Sequence, residues 1–352
     1  MSRRTWLQWM ALLVLSAVLS TIWGAIGLPA SLLLGPMVAG IVFGVSGTRL
    51  SVPRTPFVAA QAVVGALVSA SITPAIAATF ADHWLLFSAV VGATLLGSAA
   101  LGWLISRLGV IDGATAIYGS SAGAAAAMVL QAEVNGADAR IVAFMQYVRV
   151  LLVVMAAAFV ARYWAGAAGV HPPGIGWAAP VDWRNLAIVA ILAAFSQQLA
   201  RLARVPAWGL LGPMVALSAA HAAGLVAIEL PAWLLAAAYA LIGWYIGLGF
   251  RREVLMHAWR ALPVVAGAAL CLMALCWALA WVLTRLANVD ALTAYLATSP
   301  GGLDSVAIIA ASTPQVDLAF VLALQAVRLV FAIAFGPPIA RLVVRRSPHL
   351  RK

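Results

Sequence analysis

The sequence predicts an all-α polytopic membrane protein built from two homologous repeats, each with five to six membrane segments and broken helices. Two observations carry this expectation: apolar runs long enough to cross a bilayer, and a motif pattern that returns half a chain later. Of the 352 residues 65% are hydrophobic and only 9% charged, whereas a water-facing domain carries roughly 25% charged residues. Most of the surface must therefore face something apolar.

In chain order, Thr5 to Thr48, Thr55 to Ala81 and Trp84 to Ser106 contain no charged residue. Each exceeds the roughly 20 residues that a helix needs to cross a ~30 Å hydrocarbon core. The first is long enough for two spans, divided around Gly27-Leu28-Pro29. Comparable segments follow at 185–203, 206–228, 230–250 and 261–284. Backbone groups in lipid need partners within the segment, so these runs read as helices. The alternating pattern of a membrane β-barrel is absent.

The formal net charge is +11, but its placement argues against direct contact with nucleic acid. Basic residues stand singly or in pairs between the apolar runs, and the one cluster is Arg341, Arg345, Arg346, Arg351 and Lys352 at the end. This is the juxtamembrane pattern of the positive-inside bias and of anionic lipid attraction. Cys271 and Cys276 share one apolar run and fit no metal or redox spacing, so they read as buried apolar residues. Arg3 and Arg4 precede an uninterrupted run and read as cytoplasmic anchors of a first span rather than part of a cleaved signal.

Self-similarity gives the domain organisation. Leu34-Gly35-Pro36-Met37 returns as Leu211-Gly212-Pro213-Met214, and Pro29 as Pro206, both at an offset of 177. Arg107-Leu108, Asp112 and Thr115-Ala116 return as Arg285-Leu286, Asp290 and Thr293-Ala294 at 178. Asp138 returns as Asp317, and Gln146-x-x-Arg149 as Gln325-x-x-Arg328, at 179. The chain divides into a repeat at 1–162, a linker and first span of the second half at 163–197, a repeat at 198–341 and a basic cytoplasmic tail at 342–352. Arginine placement then votes on topology. If each repeat crosses six times, 13 of 19 basic residues outside the spans are cytoplasmic. If 112–133 and 290–311 enter and return on one side, 16 are inside and only Arg162, Arg184 and Arg285 outside. The second arrangement obeys the positive-inside rule better and makes the repeats inverted. Both termini are then cytoplasmic, in a bacterial-type inner membrane.

Three constellations could carry chemistry. Arg149 and Arg328 lie inside apolar stretches, where an unpaired arginine costs several kcal/mol. Gln146 and Gln325, three residues earlier, share a helix face with them. The pairs read either as an anion-binding or gating element, or as structural arginines that satisfy the carbonyls of a broken helix. Thr298-Ser299-Pro300-Gly301-Gly302-Leu303-Asp304 is a helix break inside a membrane segment. There Pro300 removes a donor and exposed helix ends can form a solute site from Ser299, Gly301, Gly302 and Asp304. Its counterpart, Tyr118 to Gly123, lacks the proline and the acid. The Gly35-Pro36 and Gly212-Pro213 pairs read as helix breaks of structural use. Asp138 and Asp317 read as caps of the helices that follow.

The five histidines are dispersed, and no P-loop, Gly-x-Ser-x-Gly or dinucleotide fingerprint is present. No cofactor or metal is expected, and no catalytic residue. The duplicated pattern resembles the membrane AbrB family, which carries two hydrophobic modules with a Gly-Pro-Met element, a Thr/Ser-Pro-Gly-Gly element and a Gln-x-x-Arg. Here these are Leu34 to Met37 and Leu211 to Met214, Thr298 to Gly302, and the two Gln/Arg pairs; the first module departs, with Ser121-Ala122-Gly123 in place of Pro-Gly-Gly. The family is unrelated to the soluble DNA-binding AbrB. The resemblance implies labels used for its members, regulator of gene expression and ammonia monooxygenase; the latter lacks metal ligands here. The architecture is similar to that of cation/proton antiporters and anion transporters. The expected function is a secondary transporter of a small, anionic solute, not an enzyme. The alternative is a membrane protein acting indirectly on gene expression. The expected partners are the bilayer and the solute, with a homo-oligomer left open.

Overall fold

A computed structural model describes residues 3–28, 30–70, 84–122, 128–129, 132–133, 135–164, 181–205, 207–313 and 315–346. All regular structure among them is α-helical. In order these are α1 (Arg3–Ala25), α2 (Ser31–Val45), α3 (Arg54–Ser69), α4 (Trp84–Arg107), α5 (Gly113–Ser120), α6 (Ala139–Trp164) and α7 (Trp183–Leu202). They continue with α8 (Trp208–Ala222), α9 (Ala232–Gly247), α10 (Arg252–Ala258), α11 (Leu262–Ala287), α12 (Ala291–Thr298), α13 (Leu303–Ala311) and α14 (Leu318–Arg346).

Among the described residues six helices are long and apolar enough to cross a membrane: Arg3–Ala25, Trp84–Arg107, Ala139–Tyr163, Trp183–Leu202, Ala232–Met256 and Leu262–Ala287. The apolar runs suggested full spans for α2 and α8 as well. Those helices have 15 residues each, about 23 Å at 1.5 Å per residue, because each run gives up residues to turns on either side. The boundary at 197/198 drawn from the motifs falls inside α7. Cys276 is buried, as expected, but Cys271 is exposed on α11.

Helices α2, α3, α4, α5 and α6 each begin 177 to 179 residues before α8, α9, α11, α12 and α14. Packing follows the same correspondence, with α2 lying along α9 and α3 along α8. Glycines make this exchange possible. A Cβ on Gly243 of α9 would sit 2.6 Å from the Leu33 carbonyl oxygen and 2.9 Å from the Met37 nitrogen. At the matching place, a Cβ on Gly65 of α3 would sit 2.5 Å from the Leu210 carbonyl oxygen and 3.3 Å from the Met214 nitrogen.

The Gly-Pro motifs lie at these crossings, and here the expected helix breaks are corrected. Pro36 and Pro213 sit inside α2 and α8, which continue through them. Gly35 abuts the Ser16 carbonyl of α1, and Gly212 abuts the Ser196 carbonyl of α7, each too closely for a side chain. Pro213 has no N–H for the carbonyl of Gly209 four residues back. The Gln197 side-chain amide of α7 donates to it at 2.7 Å, and to the Val58 carbonyl at 2.9 Å. Gln197→Leu strands the Gly209 carbonyl, while the Val58 carbonyl keeps its place in the α3 ladder, and is expected to lower stability by about 1–2 kcal/mol. Thermal unfolding in detergent measures this; an unchanged midpoint would show that the proline carbonyl needs no partner.

The ends of the bundle are identified by what gathers there. One cluster holds Val45 at the end of α2, Ile105 near the end of α4, Ile141 and Phe144 at the start of α6, and Phe250 just after α9. Helix α4 therefore ends where α6 begins, and the segment between them leaves and returns at the same end. Consistently, the Asp138 N–H donates to Thr115 Oγ1 at 3.0 Å, joining the start of α5 to the start of α6. The Asp317 N–H likewise donates to Thr293 Oγ1 at 3.1 Å, joining α12 to α14. An eight-residue helix reaches only about 12 Å inward, so α12 and α13 form a hairpin that turns back inside the bundle, and α5 ends inside it in the same way. Elsewhere, Phe87 at the start of α4 packs edge-on against Phe320 at the start of α14, with ring centroids 5.4 Å apart.

Candidate functional site

The second hairpin turns because its sequence cannot continue the helix. A residue before proline avoids the α region, and Ser299 adopts φ −54°, ψ 136°. Pro300 then offers no N–H. The last carbonyls of α12 are left without helical partners, deep in the protein, where each must find a donor.

Helix α14 supplies those donors. Gln325 Nε2 donates to the carbonyls of Leu296 at 2.9 Å and Ser299 at 3.1 Å. Arg328 Nη1 donates to Thr298 at 3.3 Å and also to Ser299, and Nη2 to Gly301 at 3.0 Å. Gln325 Oε1 accepts from Arg328 Nη2 at 2.5 Å, which holds the guanidinium plane. Thr298 Oγ1 ties the same turn to α11 by donating to the Cys276 carbonyl at 3.0 Å. Ser299 Oγ closes on Leu296 at 2.9 Å.

The first hairpin reaches the same arrangement without the proline. Ser121 adopts φ −56°, ψ 127°. Gln146 Nε2 donates to Tyr118, Gly119 and Ser121 at 3.0, 3.2 and 3.1 Å, and Arg149 Nη1 to Ser121 at 2.5 Å. Ser120 Oγ reaches the Ser98 carbonyl of α4 at 3.0 Å, matching Thr298 and Cys276. Arg149 and Arg328 are only 3% and 6% exposed. Each faces the partly negative carbonyl end of a short helix, which offsets part of the cost of burying a cation.

This geometry modifies the sequence expectation. Arg149, Arg328, Gln146 and Gln325 come together as candidate solute ligands, yet the donors seen are turned to backbone carbonyls. Both Nη groups of Arg328 are committed to the hairpin and to Gln325. Ser299, Pro300 and Gly301 are buried at the turn, and Gly302, partly exposed, caps α13. Asp304 lies in the first turn of α13, with its side chain outside the described residues. Asp138 and Asp317 cap as expected: Asp138 Oδ1 accepts from the Arg140 and Ile141 amides, and Asp317 Oδ1 from the Phe320 amide. The space beside Arg149, Gly119 and Ser120 is about 20 Å³, roughly enough for one water. The centre is therefore closed. Sequence reading passed over Ser120 and Thr298 as anchors. The recurrence of a hydroxyl at the end of each short helix was the available signal.

Both hairpins lie within the stretch of chain that matches a known family. The family model described as "Transition state regulatory protein AbrB" matches residues 32–344. The chain belongs to the AbrB family. The AbrB match runs from α2 into α14 and takes in both Gln/Arg pairs. The chain is similar to "Putative regulator AbrB" of Escherichia coli (strain K12), with 46% identity over 346 residues, 97% of this chain and 98% of that protein. It is also similar to "Uncharacterized protein YhjN" of Bacillus subtilis (strain 168), with 26% identity over 300 residues, 80% of this chain and 77% of that protein.

Proposed function

We propose that this AbrB-family chain is a secondary transporter of a small anionic solute, with two inverted repeats in the inner membrane. The observation that carries the reading is the pair of hairpins whose short helices end deep in the bundle, each held by Gln and Arg from the next long helix. Transporter folds use such discontinuous helices as solute sites. Two buried guanidiniums attract an anion, and the N-terminus of α13 at Gly302 adds a favourable dipole. Inversion is supported by the cluster that puts the start of α6 where α4 ends, while its counterpart α14 starts beside the start of α4.

Flux through Gly302→Val tests the site. A Cβ at Gly302 meets only Ser305 Oγ, at 3.8 Å, so folding should survive while the hairpin tip loses its access. In proteoliposomes loaded with a panel of small organic anions, the parent protein should exchange one of them and the variant should lose at least tenfold of that rate. Full flux in a stable variant would remove the tip from the solute path, and no exchange of any anion by the parent would defeat the reading. Topology has its own check in a Cys271→Ala background. A membrane-impermeant maleimide added to intact cells should label Arg184→Cys and spare Arg252→Cys; the reverse pattern would exclude this orientation.

A second reading is a membrane protein acting indirectly on gene expression, supported by the family description and the name of the Escherichia coli relative. The two separate in a deletion strain. Transcript changes rescued fully by a flux-dead Gly302→Val chain would favour regulation independent of transport.

A further inference from the structure

A second site lies at the end of the bundle where α2, α4 and α9 finish. Here a cavity of about 580 Å³ opens between Ser51-Val52, the start of α6 and the α9–α10 junction. That volume falls within the range of roughly 300–1,000 Å³ usual for small-molecule sites. The cavity differs from the hairpin centre in being open and in mixing apolar walls with polar and charged residues.

Its walls are built for room. Val52, Val129, Phe144, Leu248 and Val254 supply apolar surface. Tyr147 on α6 and Tyr245 on α9 both line the space, and Tyr245 is fixed by stacking on Phe57, with centroids 3.8 Å apart and planes 18° apart. Gly249 lets the Tyr147 ring lie flat against the backbone, since a Cβ there would fall 2.7 Å from two ring carbons. Arg251, at the start of α10, lines the same space. Two tyrosines and a guanidinium thus line one cavity. The acids on the lining are Asp138 and Glu253. Asp138 Oδ1 is committed to capping α6, and Glu253 sits in the first turn of α10. Arg140 adds a second cation at the rim.

We propose that this cavity binds a small organic carboxylate, its anionic head held by Arg251, Tyr147 and Tyr245 and its apolar body resting on Phe144 and Leu248. A guanidinium with neighbouring hydroxyls suits a carboxylate because charge-assisted bonds are about twice as strong as neutral ones. The apolar floor suits a ring or short chain rather than a bare inorganic ion. An anionic lipid headgroup shares the same chemistry, so the experiment must separate the two sources. The site does not depend on the transport reading, since binding is measured at equilibrium without flux.

The test uses full-length protein in detergent, with benzoate as probe and benzyl alcohol as its neutral counterpart. Benzoate should raise the unfolding temperature by a few degrees in a saturable way, because a ligand of the folded state stabilises it by mass action. Benzyl alcohol should not. Arg251→Gln and Tyr245→Phe should each weaken benzoate binding about tenfold, while Arg252→Gln, a neighbouring exposed residue outside the cavity, should leave it unchanged. Should Arg251→Gln fold poorly, Gly249→Ala displaces the Tyr147 ring instead and should abolish the benzoate shift, with Arg251→Lys retaining part of it. No shift with benzoate, an equal shift with benzyl alcohol, or a shift that survives these changes would overturn the proposal. A shift produced by phosphatidylglycerol in mixed micelles and not by benzoate would assign the cavity to lipid and overturn it as well.

Discussion

Arg328→Ala is expected to lower the stability of the protein by about 2–4 kcal/mol, more than any other single truncation of a polar side chain in the bundle. The variant leaves the carbonyls of Thr298 and Gly301 and the Gln325 Oε1 without the donors they have now. Each buried acceptor stranded in this way costs about 1–3 kcal/mol. Removing a buried guanidinium recovers part of that, because the desolvation penalty of the cation disappears with it. The acceptor losses prevail, since the guanidinium already faces carbonyl dipoles and is not an isolated charge. The Ser299 carbonyl keeps Gln325 Nε2 at 3.1 Å, so the hairpin should loosen rather than detach. Thermal unfolding in detergent, with the monodisperse fraction as second readout, measures the effect. Arg328→Lys should fall between the two, because an ammonium replaces the charge but cannot span four acceptors with a planar fork. Equal stability of Arg328→Ala and the parent would mean that the hairpin holds itself, and would return the arginine to the pool of solute ligands.

Gly243→Val and Gly65→Val should each prevent stable folding, at a cost of about 3 kcal/mol or more. At both places the obstacle is backbone of the other half, which cannot rotate away as a flexible side chain could. Inserting a branched residue must push α9 from α2, or α3 from α8, along the pairing that joins the halves most extensively. Packing rather than apolar transfer drives helix association in lipid, so a separated helix pair gains nothing elsewhere. Gly92 and Gly267 provide the control, because a Cβ on either would meet nothing within 4 Å. Alanine there should leave folding intact. Similar yields of all four variants on size exclusion would contradict the interlocked packing.

The class, the pairing of elements and the importance of the two Gln/Arg pairs were legible in residues alone. Apolar runs without charge can be satisfied only in lipid, and an arginine kept twice at equivalent points inside such runs needs a partner. The break after α12 was also legible, from Pro300. The role of the arginines was not. Three residues of spacing put Gln325 and Arg328 on one face of α14, but no local rule says whether that face meets a solute or the orphaned end of α12. The Gly-Pro motifs were misread as breaks for a related reason. Whether a proline interrupts a helix depends on who satisfies the carbonyl four residues back, and for Gly209 that partner, Gln197, sits on another helix.

By itself, then, the sequence determined an all-helical, lipid-facing chain with a doubled motif set, because hydropathy and repetition are properties of the residues in order. Only the tertiary structure decided that Arg149 and Arg328 hold the short helices α5 and α12 in place. It alone placed Tyr147, Tyr245 and Arg251 around one cavity, since that requires α6, α9 and the start of α10 to meet. Backbone hydrogen bonds that a broken helix cannot make within itself must be completed by distant side chains, and distance along the chain carries no record of which ones.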